Sequence, residues 1–330
     1  MKENIFLFLK GFGMGAANII PGVSGGTIAL ITGIYERLIA ALHNFDYIAV
    51  KLFFKFKFRK LFDKVDGGFL TVLLLGVVVS TFTLARLMKY LFANHETLLW
   101  SFFFGLILAS ILVVMRRIKK WNLIIMLWFI VGTVSAYLIT SSKSIDTPNT
   151  PLYIFLSGFI AIIAMILPGI SGSYILLIIG KYKFAIDLVS SLTSYFKNVL
   201  AGILKGDFSK VISLFPASEV GLTVIFIVGC VLGLVIFSKL LNWLFKKFHD
   251  ATITVLAGFM FGSLNILWPW KKTIGTIIDL HGVEKKIQEN IFPLEVNQMF
   301  FYIIGFIVIG FVVVYVIEKA SNTSPKKSKT

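Results

Sequence analysis

A proline–glycine break inside an apolar run constrains this chain more than any other feature. The run covers residues 14–38 and is cut in its middle by residues 21–26, which read PGVSGG. Proline removes a backbone donor and clashes with the preceding helical turn, and the glycines loosen the backbone that follows. Backbone groups freed at membrane depth are tolerated only where protein or a water-filled cavity satisfies them. The sequence therefore predicts a functional helix break within apolar surroundings.

The composition places this break in a polytopic membrane protein. Hydrophobic residues make up 57% of the 330 positions and the mean hydropathy is +0.89, whereas soluble domains contain about 45–50% apolar residues. Basic cytoplasmic loops that fix the topology explain the net charge of +16, so we expect no nucleic-acid partner. The single Cys230 and the four scattered histidines show no metal-ligand spacing. We expect no metal, no cofactor and no catalytic residue.

Apolar segments long enough to cross a bilayer fall into two sets of three. The first membrane repeat is predicted at residues 1–140, with a broken hairpin at 4–42, and the second at residues 152–317, with a broken hairpin at 152–190. A polar linker at 141–151 joins them. The six predicted spans are residues 68–92, 97–115, 122–140, 220–245, 252–267 and 299–317. The sequence also predicts an interfacial helix at 193–215, a polar loop at 271–297 and a basic tail at 318–330.

Clusters of lysine and arginine give the chain an orientation. The basic segments at 51–64 and 116–120, the pair at 246–247 and the C-terminal tail are predicted to be cytoplasmic. The linker at 141–151 and the loop at 271–297 then lie outside, and both termini lie in the cytoplasm. Phenylalanines alternate with the lysines of residues 51–64, so we expect this segment to contact anionic membrane lipids.

The two halves of the chain resemble each other. IPGVSGG at residues 20–26 matches LPGISGS at residues 167–173. Further matched pairs are Gly33 with Gly180, Gly76 with Gly229, Arg86 with Lys239, Gly105 with Gly258 and Ser110 with Ser263. Each half crosses the membrane three times if its hairpin re-enters and five times if both hairpin arms cross. Either odd number inserts the halves in opposite orientations, which predicts an all-α inverted-topology repeat with two helix breaks facing each other near the midplane.

Two facing breaks of this kind suit an anion. After each Pro-Gly a new helix begins at a small polar residue, and helix N-termini expose unpaired N–H groups with partial positive charge. Phosphate is the ligand that such ends commonly bind. The alternative explanation is that small residues simply allow close helix packing. The candidate binding residues at the breaks are Asn18, Pro21, Gly22, Ser24, Gly25, Gly26, Thr27, Pro168, Gly169, Ser171, Gly172 and Ser173.

Four charged residues complete the candidate substrate-binding set. Glu36 and Arg37 end the first hairpin, where they could equally form an ordinary interfacial ion pair. Arg86 and Lys239 occupy equivalent repeat positions within or near the ends of spans. Intramembrane charge indicates function, although long basic side chains also extend to headgroups without any such role.

Four segments carry a family resemblance. MGAANIIPGVSGGTIALITGIYERL, MILPGISGSYILLIIGKY, FFFGLILASI and GFMFGSLNILWPW resemble a bacterial family once known only as a domain of unknown function and now regarded as polyprenyl-phosphate transporters. The resemblance implies a flippase that returns undecaprenyl phosphate from the outer to the inner leaflet of the cytoplasmic membrane, for reuse in peptidoglycan synthesis. Two departures are Asn18, where many relatives carry Asp, and Lys183, which stands where the first repeat has Glu36.

Two other functions are compatible with this architecture. The first is a membrane enzyme resembling polyprenyl-pyrophosphate phosphatases, which place Arg directly after the serine of a similar motif and carry clustered acidic residues. Gly25 and Gly172 follow the serines here, so the charged groups that phosphoryl transfer needs are missing. The second is a secondary transporter of a small soluble anion. The sequence favours a transporter over an enzyme.

Overall fold

The computed structural model describes residues 2–19, 23–142, 144–145, 147–205, 217–278, 284–293 and 296–322. Within these ranges the chain forms fourteen helices and one β-hairpin. The helices are α1 (Lys2–Asn18), α2 (Gly25–Ile31), α3 (Tyr35–His43), α4 (Tyr47–Phe54), α5 (Phe58–Lys64), α6 (Gly67–Asn94), α7 (Glu96–Met115), α8 (Leu123–Ser141), α9 (Pro151–Ile166), α10 (Gly172–Ile178), α11 (Tyr182–Lys205), α12 (Ala217–Lys247), α13 (His249–Leu267) and α14 (Gln298–Asn322). The strands are β1 (Lys271–Ile278) and β2 (Glu284–Asn290).

Six helices are long and apolar enough to cross a membrane: α6, α7, α8, α12, α13 and α14. Each coincides with one predicted span to within a few residues at either end. Side chains at the helix starts explain several boundaries, as at Asn122, whose side chain accepts the amide N–H of Ile125 at 2.8 Å and so begins α8. The predicted fold class, an all-α polytopic membrane protein, is confirmed.

The helix packing repeats itself between the halves. In the first half α1 packs along α6, and in the second α9 packs along α12. The remaining spans exchange partners, because α7 packs on α14 and α8 packs on α13. Each half therefore contributes one pair of its own and one helix to each of two shared pairs, as expected for repeats related by a pseudo-two-fold axis.

Equivalent glycines make equivalent backbone contacts in the two halves. A Cβ added to Gly76 in α6 would lie 2.2 Å from the carbonyl oxygen of Phe8 in α1. A Cβ added to Gly229 in α12 would lie 2.2 Å from the carbonyl oxygen of Phe155 in α9. In each half only glycine allows the two helix backbones to approach this closely.

The first hairpin is broken into short, sharply bent helices. α1 ends at Asn18, and α2 has only seven residues, a rise of about 10 Å against a hydrocarbon core of about 30 Å. α3 then bends by 117° from α2, since Gly33 takes a left-handed φ of +74°. Gly180, with φ +69°, ends the seven-residue α10 in the second half.

α7 and α13 form the centre of the molecule. Two thirds of α7 (67%) and 61% of α13 are buried, against 28% or less for the other four spans. These two helices contain the segments FFFGLILASI and, up to Leu267, GFMFGSLNILWPW. Both breaks therefore pack against the most enclosed helices of the bundle.

Three regions differ from the sequence-based expectations. The basic segment after the first hairpin folds into α4 and α5 instead of an open loop, and the predicted polar loop at 271–297 contains the antiparallel pair β1–β2, with a bulge between Thr273 and Gly275. α11 continues to Lys205 instead of ending at residue 190, so it overlaps the predicted interfacial helix at 193–215. Residues 206–215 of that prediction lie outside the described residues.

Candidate functional site

At the first break, residues of the first hairpin accept hydrogen bonds from the backbone N–H groups at the start of α2. Ser24 begins α2 and its Oγ accepts the amide N–H of Gly26 at 3.1 Å. The Oδ1 of Asn18 accepts the N–H of Gly25 at 2.7 Å, and the N–H of Thr27 bonds the Ser24 carbonyl at 2.9 Å. Residues 24–27 are all buried. In this conformation a phosphate could reach these amides only by displacing Asn18 and Ser24. The predicted site residues Pro21 and Gly22 lie outside the described residues.

The second break is open where the first is closed. Ser171 begins α10 without capping it, and its hydroxyl instead lies 2.7 Å from that of Ser173, which is exposed. The backbone amides of residues 172–174 have no acceptor among the described residues. One cause is a substitution between the repeats, since the position equivalent to Asn18, which accepts the N–H of Gly25, holds Met165. A thioether cannot replace the amide oxygen as a cap.

The two breaks contact each other across the repeat boundary. Thr27, fully buried, accepts the N–H of Gly169 on its Oγ1 at 3.1 Å. The Ser24 hydroxyl donates to the carbonyl of Met165 at 3.4 Å, and a Cβ on Gly26 would lie 2.6 Å from the carbonyl oxygen of Ile166. The structure thus brings Ser24, Gly26, Thr27 and Gly169 together.

Gly169 itself has no room for a side chain. Its φ is +85°, and a Cβ there would lie 2.8 Å from the Cα of Met260 and 2.9 Å from the Oγ of Ser263 in α13. Pro168, beside it, is buried. The second break is therefore held against the central helix by backbone contact.

Two basic residues that sequence reasoning missed complete the first hairpin. Lys10 in α1 donates to the carbonyl of Thr32 at 2.8 Å, and Arg117 donates to the carbonyl of Ile31 at 2.7 Å. They satisfy carbonyls at the C-terminus of α2. The sequence signal that could have revealed Lys10 is its position as a charged residue inside the apolar run of α1. In the second repeat Lys181, also missed and only 1% exposed, donates to the carbonyl of Thr147 and, at 2.8 Å, to Oδ1 of Asn149.

Glu36 joins the two repeats through a histidine. Its Oε1 lies 3.2 Å from Nε2 of His249 at the start of α13, and Nδ1 of the same ring lies 3.2 Å from Oδ1 of Asp250. Asp250 also accepts the backbone N–H groups of Lys119 and Lys120, each at 3.1 Å. This chain of contacts ties the first hairpin to the α12–α13 turn.

The other predicted charges lie apart from the breaks. Arg37 makes a two-pronged ion pair with Asp66, at 2.6 and 3.0 Å, and lies 4.4 Å over the ring of Phe69. Arg86 and Lys239 are exposed on α6 and α12 and form no ion pair with a described residue. The ordinary ion-pair interpretation therefore describes Arg37, whereas a substrate role for Arg86 and Lys239 stays a prediction.

The two hairpins are docked differently. α3 packs on α12 of the other repeat, where Tyr35 is 1% exposed and its ring lies 5.9 Å from that of Phe245. Among the described residues of the second repeat, α11 makes no comparable contact with α6, and the equivalent Tyr182 is 39% exposed. Within the described part of the chain, the first hairpin is docked on the other repeat and the second is not.

Comparison with known proteins identifies the family. A family model described as undecaprenyl phosphate translocase-like matches residues 14–285. The chain belongs to this family. A polyprenyl-phosphate transporter of Vibrio cholerae is 38% identical over 293 residues, covering 88% of this chain and 87% of the relative. A polyprenyl-phosphate transporter of Staphylococcus aureus is 30% identical over 276 residues, covering 79% and 85%. No solved structure matches.

Membership in this family decides between the function classes. Both relatives are named as transporters, which confirms the prediction of a transporter over the phosphatase-like enzyme. The described residues contain no group of three or more His, Cys, Asp or Glu side chains that could hold a metal ion. The family model spans both breaks, the docked first hairpin and the two central helices.

Proposed function

We propose that this chain is a flippase that moves polyprenyl phosphate, with undecaprenyl phosphate as the substrate, from the outer to the inner leaflet of the bacterial cytoplasmic membrane. The observation that carries the proposal is the contact between helix breaks of two repeats, at Thr27 and Gly169, in a member of the translocase-like family. The names of the relatives supply the substrate class. The N–H and hydroxyl donors at the second break supply the hydrogen bonds that a phosphate would accept.

The phosphate would bind first at the second break. Ser171 and Ser173 present hydroxyls, and the amides of residues 172–174 present N–H groups that no described residue accepts. Hydrogen bonds to a charged acceptor are the strong ones. Transfer to Ser24–Thr27 then requires Asn18 to release Gly25, so the first break would bind the phosphate only after a conformational change.

The proposed orientation sets the direction of transport. If both termini lie in the cytoplasm, the second hairpin enters from the outer side, and it is the hairpin that is not docked. Substrate would then reach Ser171 and Ser173 from the outer leaflet and leave once the first hairpin undocks. This direction would recycle the carrier lipid for peptidoglycan synthesis.

Anionic lipids are a second proposed partner. Phe53 and Phe54 at the end of α4 and Phe56 in the turn before α5 are 53–79% exposed, and Lys55 and Lys57 flank Phe56. Exposed aromatic rings beside cations suit the headgroup region of an anionic leaflet. α4 and α5 would then lie on the cytoplasmic face, in agreement with the predicted orientation.

Transport by reconstituted protein tests the proposal. Purified protein in liposomes carrying labelled undecaprenyl phosphate should move the label between leaflets, measured with and without a proton gradient. Replacing Ser171 and Ser173 together by alanine should slow transport about a hundredfold or more, because each of the two hydroxyl bonds to an anion contributes roughly 1.5–3 kcal/mol. Thr81→Ala, on an exposed face of α6, is the matched control and should transport normally.

Three results would contradict the proposal. Full transport by the folded Ser171/Ser173 double variant would remove the second break from the path. Competition by free phosphate as strong as by lipid-linked phosphate would indicate a soluble-anion transporter. Release of inorganic phosphate from the pyrophosphate lipid would indicate an enzyme.

A further inference from the structure

A lateral groove opens between α8 and α12, with α13 as its floor. Its volume is about 990 Å³, at the upper end of the roughly 300–1,000 Å³ of small-molecule pockets. Apolar side chains form its walls: Ile124, Ile125, Trp128, Phe237, Leu241, Leu244, Val255, Leu256 and Phe259. The described residues of α8 and α12 make few or no direct contacts with each other, so the groove is open along its side.

The two ends of the groove differ in character. One end carries the basic side chains of Lys119 and Lys247 together with His249 and Asp250. The other end reaches Leu167, the residue directly before the second break, and Phe259, whose carbonyl oxygen lies beside Gly169. The groove thus connects a basic surface at the α12–α13 turn with the break.

A smaller groove of about 350 Å³ lies at the equivalent place in the other repeat, between α6 and α14. Every residue that lines it has its repeat equivalent in the larger groove. The pairs are Met88/Leu241, Leu91/Leu244, His95/Phe248, Leu98/Ala251, Leu99/Thr252, Phe102/Val255, Phe103/Leu256 and Phe306/Trp128. A packing defect would not recur at eight equivalent positions, so both grooves are built into the repeat.

We propose that the larger groove binds the isoprenoid chain of polyprenyl phosphate once the phosphate has passed the two breaks, with the phosphate at the cytoplasmic end beside Lys119 and Lys247 and the chain extending toward Leu167. The walls are apolar apart from Thr252, and Lys119 and Lys247 at the basic end complement an anionic headgroup. The assignment rests on the proposed function and extends it, because the chain of the lipid is bound and not left in the bilayer.

Site-specific photo-cross-linking tests the groove. A benzophenone amino acid is placed at Val255 in the groove, at Trp128 as a second groove position, and at Phe82, 80% exposed on α6, as the lipid-facing control. Radiolabelled undecaprenyl phosphate in phosphatidylethanolamine and phosphatidylglycerol vesicles should label positions 255 and 128 saturably. Unlabelled undecaprenyl phosphate should remove this labelling, and excess phosphatidylglycerol should not. Lys119→Gln with Lys247→Gln should weaken labelling about thirtyfold, at roughly 1 kcal/mol for each of the two lysines.

The outcomes separate the groove from the proposed function. Non-saturable labelling of equal strength at positions 255, 128 and 82, in vesicles that transport the lipid, would contradict binding in the groove but would not contradict the proposed transport function. Equal competition by phosphatidylglycerol would assign the groove to bulk phospholipid and also overturn the proposal. Absence of transport by the unmodified protein would count against the proposed function.

A second inference comes from the charges that dock the hairpins. Glu36 of the first hairpin contacts His249 of the second repeat at 3.2 Å. Their repeat equivalents are Lys183 and Glu96, so the acidic residue lies on the other partner. Lys183 is exposed and forms no ion pair with a described residue, and Glu96 accepts the ring N–H of Trp100 at 3.3 Å.

We infer that Lys183 and Glu96 form an ion pair when the second hairpin docks on the first repeat. The aromatic partner of the docked tyrosine also has a repeat equivalent. Phe92 stands at the position equivalent to Phe245, and in this structure its ring lies against that of Trp100, with centroids 5.5 Å apart. Tyr182 would then cover Phe92 as Tyr35 covers Phe245. This inference also rests on the proposed function, and it is independent of the groove.

Disulfide trapping tests the second pair. In a Cys230→Ser background, Lys183→Cys with Glu96→Cys should cross-link under mild oxidation in transporting vesicles, and the cross-link should stop transport until it is reduced. Glu36→Cys with His249→Cys is the matched pair that should cross-link without substrate. Failure of the 183/96 pair to cross-link in protein that still transports would overturn this inference while leaving the proposed function intact.

Discussion

The hydroxyl of Tyr35 donates a 3.1 Å hydrogen bond to the carbonyl of Ile166, which lies 131 residues away in the other repeat. Ile166 is the last residue of α9, so the N–H that would continue the helix is absent and the carbonyl needs another donor. One fully enclosed side chain of the first hairpin thus completes the helix that leads into the second break. The contact joins the two halves at the level of the candidate site.

Removing this hydroxyl should destabilise the protein. Tyr35→Phe leaves a buried carbonyl without a donor, which costs about 1–3 kcal/mol. Thermal unfolding in detergent should show a lower midpoint for this variant. Tyr182→Phe is the matched control, since Tyr182 is 39% exposed, and should melt like the parent protein. Equal midpoints for all three proteins would show that the hydrogen bond contributes nothing.

The Asn18 cap should determine how accessible the first break is. Asn18→Leu removes the acceptor of the Gly25 N–H and should lower the unfolding free energy by about 1 kcal/mol, whereas Asn18→Asp keeps an acceptor and should preserve it. Denaturant titration in detergent measures both. A leucine variant as stable as the parent would contradict the role of the cap.

The converse substitution should close the second break. Met165→Asn places an amide at the position equivalent to Asn18, where it can accept the free N–H of Gly172. We expect greater stability by about 1 kcal/mol together with slower lipid transport, because the donors offered to phosphate are then occupied. Transport and unfolding are measured on the same preparation. Faster transport by this variant would argue against phosphate binding at α10.

Gly169 should tolerate no side chain. Gly169→Ala combines a left-handed φ with a Cβ 2.8 Å from the Met260 Cα and should cost more than about 1 kcal/mol. Gly305→Ala in α14, where nothing lies within 4 Å of the added Cβ, should be neutral or stabilising by up to about 1 kcal/mol. Expression level and melting temperature separate the two variants. Similar losses in both would mean that the crowding at Gly169 is unimportant.

Lys271 should give the stability of the protein an alkaline pH dependence. Burial lowers the pKa of this ammonium to about 8, although Glu96 acts to raise it, and its Nζ lies 4.4 Å over the ring of Trp100. Between pH 8 and about 10.4, the unfolded chain therefore binds more protons at this site than the native protein. The contribution of Lys271 to the free energy of unfolding therefore increases as the pH rises through that window. Lys271→Met should remove this contribution, as measured by unfolding at pH 7.5 and pH 10; an unchanged pH slope would refute the assignment.

The sequence predicts the main architecture because its signals are local. Proline and glycine mark both breaks, apolar length marks six spans, and Gly33 and Gly180 mark the ends of α2 and α10 by a backbone conformation that glycine alone adopts readily. These features depend on neighbouring residues, so a single chain displays them. That the two breaks face each other follows from the odd number of membrane crossings expected in each half.

The remaining features depend on contacts between distant residues. Lys10 and Arg117 are ordinary charges until folding places them against the last carbonyls of α2, and Tyr35 meets Ile166 only through the docking of α3 on α12. The difference between the breaks follows from Asn18 and Met165, whose effect depends on a capping distance. β1 and β2 lie in a charged segment with weak strand patterning, so the sequence indicates only a polar loop.

The exchange of partners between the halves has a consequence for biosynthesis. α8 leaves the ribosome with no packing partner until α13 follows more than a hundred residues later, and α7 waits longer still for α14. Neither half can complete its own core, so the nascent first half must remain in the membrane with much of α7 unburied. We expect separately expressed halves to be degraded singly and rescued when they are produced together.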